Sequence, residues 1–71
     1  MSEVVLFRSV RLFVRNGNQL SQAGLYLKRG SQVTLIKRED LLYDHELKLA
    51  HQSETTEGEY WILNDEMYPR T

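Results

Sequence analysis

The sequence predicts an all-β, or mostly β, fold: a small barrel or roll of five or six short strands. Two observations lead to this prediction. Apolar β-branched and aromatic residues recur over short runs, often at every second position. Turn-forming residues separate these runs at intervals of about 8–12 positions, as in small meandering barrels.

The opening stretch reads as one strand that bends or bulges near Arg8–Ser9, because apolar residues alternate through position 15. Asn16-Gly17 follows, and both residue types tolerate the positive φ that a type I′ turn requires. We therefore expect the chain to reverse there and to return through Gln19–Leu27.

The rest of the chain predicts further strands. After a turn at Arg29–Ser31, "QVTLIKR" reads as a third strand. "EDLLYDHELKLAHQ" contains apolar spacings of both a helix and a strand, and we favour two short strands over one helix. Residues 46–64 are predicted to form a second hairpin, with "SETTEG" as its polar loop and "EYWILND" as its last strand.

The length of 71 residues indicates a single small domain, residues 1–66, followed by a frayed tail at 67–71. A chain of this size buries only about 60% of the surface that its unfolded form exposes. Since it contains no cysteine, neither a disulfide nor a thiolate metal site can stabilise it. Tight packing and association into a homo-oligomer are the options that remain.

Membrane and export signals are missing from the sequence. The first apolar run meets Arg8 after four residues and lacks a small-residue cleavage site. No segment approaches the roughly 18 apolar residues that span a bilayer. We expect a cytoplasmic protein without a membrane partner, and the lack of cysteine fits a reducing compartment.

The titratable residues suggest no catalysis. Asp44–Glu46 is the only tight cluster, and His51 follows His45 by six positions. In a strand these histidines would lie about 20 Å apart, too far to share a metal ion. Neither a nucleophile motif nor a phosphate-binding loop is present. We expect no enzymatic activity, no cofactor and no metal site.

Charge is distributed unevenly along the chain. Residues 1–38 contain seven basic residues and one acidic residue, a net charge of +6, whereas residues 39–71 have a net charge of −7. Such asymmetry indicates a charged partner. The alternative is that basic and acidic strands neutralise each other within the fold.

Nucleic acid is the first candidate partner. Proteins that bind single strands combine a basic groove with aromatic rings on which bases stack. The basic half predicts a site for RNA or single-stranded nucleic acid at Arg11, Phe13, Arg15, Tyr26, Lys28, Arg29, Lys37 and Arg38. In the competing interpretation, Phe7 and Phe13 belong to the core and the arginines are solvated.

A protein is the alternative partner, because aromatic side chains are enriched at protein interfaces. The acidic half would then act as an interaction surface, or as a small inhibitor that docks on a larger protein. The residues predicted for this surface are Tyr43, Glu57, Glu59, Tyr60 and Trp61. The competing interpretation of Trp61 is that it anchors the core.

Two family resemblances accompany these patterns. "VRLFVRNGNQL" resembles the first motif of Sm-like proteins of the bacterial Hfq type, and "SQVTLIKR" and "LLYDHEL" resemble later segments, over residues 10 to about 50. This resemblance implies a bent five-stranded barrel that assembles into an RNA-binding ring, although Asp44 replaces the family's lysine. "YLKRGSQVTLIKRED" and "EYWILND" resemble SH3-like domains, which implies a small barrel that binds peptides or proteins.

Overall fold

The computed structural model describes residues 2–68, which form six strands and one short helix. This confirms the predicted small all-β fold. None of the helical segments within residues 2–68 has the length and apolar character needed to cross a membrane. The elements are β1 (Ser2–Val5), β2 (Val10–Asn16), β3 (Gln19–Leu27), β4 (Gln32–Tyr43), β5 (Glu46–Thr55), β6 (Gly58–Leu63) and α1 (Asn64–Met67).

Strands β2 to β6 close into a ring. Antiparallel ladders join β2 to β3, β4 to β5 and β5 to β6. The ring closes through one pair between β2 and β6, Phe13 with Trp61, and one between β3 and β4, Gln19 with Leu42. Strand β1 lies outside the ring and pairs with the first residues of β4, on the edge opposite β5.

The Asn16-Gly17 reversal is confirmed, but its turn type differs from the prediction. Asn16 still pairs with Gln19, so the two loop residues are Gly17 and Asn18. Among these loop residues only Gly17 has a positive φ, +63°, as in a type II′ turn with glycine at its first central position.

The ambiguous stretch 39–52 contains two strands and no helix, as favoured. Tyr43 pairs with Glu46, and both loop residues between them have positive φ: 54° at Asp44 and 65° at His45. These are the left-handed values of a type I′ turn. The periodic apolar positions on either side belong to a hairpin.

Two strand predictions need correction at their ends. The opening stretch is two strands, because the chain leaves β4 after Val5 and joins β3 from Val10 onwards. The predicted loop "SETTEG" shrinks to Thr56 and Glu57, since both strands of this hairpin extend towards the turn. The predicted final strand ends at Leu63, and the following residues begin α1.

The core consists of two apolar clusters. The first core cluster contains Leu6, Val10, Leu12, Leu27, Val33, Leu35, Ile62 and Met67. The second core cluster contains Phe13, Leu20, Leu41, Ala50, Trp61 and Leu63. Strand β6 contributes to both, because its successive side chains point to opposite faces. Leu12 belongs to the first core cluster and Phe13 to the second, so both faces of β2 are buried at this point. The register shift beside them lies in β3: Arg11 pairs with Tyr26 and Phe13 with Gln22, which leaves residues 23–25 opposite Leu12 alone.

Helix α1 covers the first core cluster with Met67, which is fully buried. The core therefore extends one residue beyond the predicted domain boundary at residue 66. Residues 69–71 of the predicted tail lie outside the described part of the chain.

Candidate nucleic-acid interface

The structure divides the eight predicted nucleic-acid-binding residues among three places. Arg11, Phe13 and Arg15 adjoin the second core cluster. Tyr26, Lys28 and Arg29 lie where β3 turns towards β4, and the remaining two follow a bulge in β4. The fold therefore does not place all eight residues on one continuous face.

Phe13 is a core residue. Its side chain is fully buried, and its ring meets the Tyr43 ring edge to face at a centroid separation of 4.9 Å. A ring in this position offers no surface to a nucleic-acid base. The stacking face predicted at Arg11–Phe13–Arg15 is instead part of a packed cluster, because Phe13 lies against Trp61 of β6 and Tyr43 of β4.

Arg11 is held by Glu66 of α1. Its Nε–H donates to one carboxylate oxygen at 2.7 Å, and its backbone N–H donates to the other at 2.9 Å. This hydrogen bonding raises the pKa of Arg11 above its ordinary value. The guanidinium also lies 5.2 Å from the centroid of the Phe13 ring. Arg11 therefore joins α1 to the barrel.

Arg15 is neutralised in the same way by Glu39 of β4. The two side chains form an ion pair at 2.6 Å, and the guanidinium lies 5.3 Å from the centroid of the Trp61 ring. The Arg15 Nε–H also donates to the carbonyl oxygen of Gly17 at 2.6 Å. Hydrogen bonding from Arg15 lowers the pKa of Glu39 below its ordinary value.

Two loops meet at the opposite end of β4 from its turn at Asp44-His45. The Leu6 carbonyl accepts a hydrogen bond from the Gly30 N–H at 2.7 Å, and the Leu6 N–H donates to the Ser31 carbonyl at 2.8 Å. Since Val10 pairs with Leu27, the residues before Val10 lie beside those after Leu27. This arrangement brings together a set that we call the basic end: Phe7, Arg8, Tyr26, Lys28 and Arg29.

The basic end is open to solvent. Tyr26 is 65% exposed and Phe7 is 46% exposed, although both are large apolar side chains. The three cations of the basic end form no ion pair with any residue between positions 2 and 68. Exposed rings beside unpaired cations are the combination that single-strand binding requires.

A cavity of about 350 Å³ opens beside Tyr26 and Lys28. Ser9 and Ser31 add hydroxyl groups to its wall, and Glu57 of the turn between β5 and β6 adds one carboxylate. The cavity thus provides a cation and two hydrogen-bond donors next to an aromatic ring. The carboxylate at the rim limits where a phosphate can be placed.

Lys37 and Arg38 lie further along β4, past a register shift between Leu35 and Lys37. Lys37 is 3.7 Å from Glu39, and Arg38 pairs across the ladder with His51. Strand β4 begins at Gln32, next to the basic end. Lys37 and Arg38 lie further along the strand and are therefore separate from the basic end.

The residues predicted for a protein-interaction surface do not share one face. Trp61 is buried in the second core cluster, and Tyr60 packs on the first, because neighbours in a strand point to opposite sides. Tyr43 is half-buried and accepts a hydrogen bond from Gln22 at 3.0 Å. Glu59 accepts one from Gln52 at 2.8 Å, and Glu57 lies exposed in a turn.

The two histidines lie in different environments. Within residues 2–68, no group of three or more histidine, aspartate or glutamate side chains is close enough to bind one. His45 is exposed in its turn, whereas His51 is buried and hydrogen-bonded to Asn64.

Phe7 and Arg8 of the basic end were not among the binding residues predicted from the sequence. The sequence-based prediction of one strand over positions 1–15 put Phe7 in the same alternating series as Phe13. The available signal was the interruption of the apolar alternation at Arg8, which marks the end of pairing with β4.

Comparisons of the chain with protein-family models, with curated proteins and with solved structures found no match.

Proposed function

We propose that this chain is a non-enzymatic binding module of the cytoplasm that binds single-stranded nucleic acid, RNA in particular, at the basic end. The observation that supports this proposal most strongly is the grouping of two exposed aromatic rings with three unpaired cations. Stacking of a base on one exposed ring is worth about 1–3 kcal/mol, and it does not depend strongly on base identity.

Each group at the basic end has a distinct role. Tyr26 and Phe7 present faces for bases, while Arg8, Lys28 and Arg29 contact the phosphates on either side. The Ser9 and Ser31 hydroxyls in the adjoining cavity donate hydrogen bonds to phosphate or sugar oxygens. Binding is therefore expected to depend on salt and to show little sequence preference.

The acidic residues direct the strand to this end. Asp40, Asp44 and Glu46 are exposed near the turn between β4 and β5, at the far end of β4 from Gln32. They repel phosphates there, while Arg8, Lys28 and Arg29 attract them at the other end. Although the net charge of the chain is only −1, one end of β4 is therefore negatively charged and the other positively charged.

Titration of a fluorescent ten-nucleotide oligouridylate at two salt concentrations tests the proposal. We expect saturable binding that weakens several-fold as salt rises, with a shallower salt dependence for Lys28→Ala because one phosphate contact is lost. Lys48→Ala is the matched control: it changes the charge equally, but Lys48 lies near Glu46 and Asp65, each at 3.8 Å.

Tyr26 tests the stacking contribution separately. Tyr26→Leu should weaken binding about fivefold or more, which corresponds to roughly 1 kcal/mol, whereas Tyr26→Phe should retain it. Absence of binding at low salt, or equal losses in Lys28→Ala and Lys48→Ala, would contradict the proposal.

A further inference from the structure

A second cavity lies at the bulge of β4, away from the basic end. It has a volume of about 300 Å³, and the residues that matter on its wall are Lys37 and Arg38 of β4, Ser2 of β1, His51 of β5, and Tyr68 after α1. Ile36 is the extra residue of the bulge, since Leu35 pairs with Ser53 and Lys37 already pairs with Gln52. Lys37 and Arg38 both line the cavity, Arg38 on the face of β4 that pairs with His51 and Lys37 on the face that pairs with Gln52.

Among the described residues, the charged side chains that line this cavity are cations. No carboxylate of residues 2–68 lines it, whereas Glu57 lines the cavity of the basic end and Asp44 lines a third cavity of about 230 Å³. Arg38 forms no ion pair with a residue in the described range 2–68, and Lys37 has only the 3.7 Å contact with Glu39. A recess with this lining favours an anion.

His51 adds a requirement of its own. It is only 7% exposed, and its Nε2 lies 2.8 Å from the Asn64 Oδ1. With that oxygen as acceptor, Nε2 carries the proton, and Nδ1 of the neutral ring is an acceptor. Nδ1 makes no hydrogen bond with a residue of the described chain. A ligand with a hydroxyl or N–H donor beside its anionic group is complementary to this acceptor.

We propose that this cavity binds a small organic phosphate, a phosphate monoester on a hydroxylated body of about mononucleotide size. Arg38 binds the phosphate, Lys37 adds a positive charge at the wall of the cavity, and His51 accepts a hydrogen bond from a ligand hydroxyl. Ser2 and Tyr68 provide hydroxyl groups that serve as donors or acceptors. The volume is at the lower limit for small-molecule sites, which excludes larger cofactors. This site is independent of the single-strand interface.

Calorimetric titration with adenosine monophosphate, adenosine and inorganic phosphate tests the proposal. We expect one site for adenosine monophosphate, at least tenfold weaker binding of adenosine, which lacks the phosphate, and weaker binding of inorganic phosphate, which lacks the hydroxylated body. Arg38→Gln should weaken adenosine monophosphate binding at least tenfold. Arg29→Gln also removes one positive charge, but at the basic end. This variant should bind adenosine monophosphate with an affinity within twofold of the wild type.

Lys37→Gln serves as a second variant and should also weaken the binding. The proposal is overturned if adenosine monophosphate does not bind at millimolar concentration, or if adenosine binds as tightly. It is also overturned if Arg38→Gln and Arg29→Gln weaken binding equally, since the phosphate then lies elsewhere. Tyr26→Leu and Lys28→Ala change only the basic end, so they should leave the affinity for adenosine monophosphate unchanged. A failure of oligonucleotide binding is therefore distinguishable from a failure of adenosine monophosphate binding.

Discussion

The arginines beside the second core cluster and those of the basic end have opposite surroundings. Arg11 and Arg15 each meet a carboxylate and an aromatic ring. Arg8 and Arg29 have no ion-pair partner within residues 2–68. Arginine therefore stabilises the fold at one place and is available to a ligand at the other. The difference depends on whether the fold brings an acidic side chain close to the arginine.

The two phenylalanines provide the strongest test of this difference. Phe13→Ala should lower the free energy of unfolding by about 3–5 kcal/mol, because it leaves a cavity in the second core cluster. Phe7→Ala should lower it by less than about 1 kcal/mol, since 46% of Phe7 is already exposed. Urea unfolding followed by tryptophan fluorescence measures both. Phe13→Leu is a milder variant if Phe13→Ala does not fold; equal effects at positions 7 and 13 would contradict the comparison.

Arg11 and Arg8 form the next pair. Arg11→Ala should cost about 1–2 kcal/mol of stability, because it removes charge-assisted hydrogen bonds to Glu66 and the contact with Phe13. Arg8→Ala should change stability by no more than about 0.5 kcal/mol. A double-mutant cycle with Glu66→Gln should show coupling at Arg11 and none at Arg8. Additive effects of Arg11→Ala and Glu66→Gln would mean that α1 is held by apolar contacts alone.

The smallest expected effect is the pH dependence from Arg15 and Glu39. The folded pKa of Glu39 lies below its ordinary value of 4.5, so its stabilisation is present above that pH. It is lost as the pH falls through the lowered pKa. The difference in urea midpoint between wild type and Glu39→Gln should therefore shrink towards acidic pH. Glu54→Gln, at an exposed strand position, should show no such trend; parallel pH profiles for the two variants would argue against the Arg15 contact.

The fold was largely predictable because its signals are local. Asn16-Gly17, Arg29–Ser31 and the alternation in "EYWILND" depend on neighbouring residues, and each marks a turn or strand in the structure. The register shifts opposite Leu12 and at Ile36 were not predictable, since register depends on how strands pair and not on neighbouring residues. Pairing with distant strands also decides that Phe13 is buried and that Lys37 and Arg38 line a cavity.

The site was less predictable for the same reason. Arg11 is paired with an acid 55 positions away, and no local pattern indicates which of the nine acids after residue 38 will lie beside it. Tyr26, Lys28 and Arg29 were predicted as binding residues because they are aromatic or basic, and their binding role stays a prediction. The resemblance to Sm-like and SH3-like proteins and the expected oligomer stay predictions.

Mapping of amide chemical-shift changes during titration with the oligouridylate is the most direct test of the central claim, that only the unpaired cations bind. The account predicts saturable shifts at residues 7–9 and 26–31, with small changes along 11–15. Shifts centred on 11–15, or no saturable shift at any residue, would contradict it.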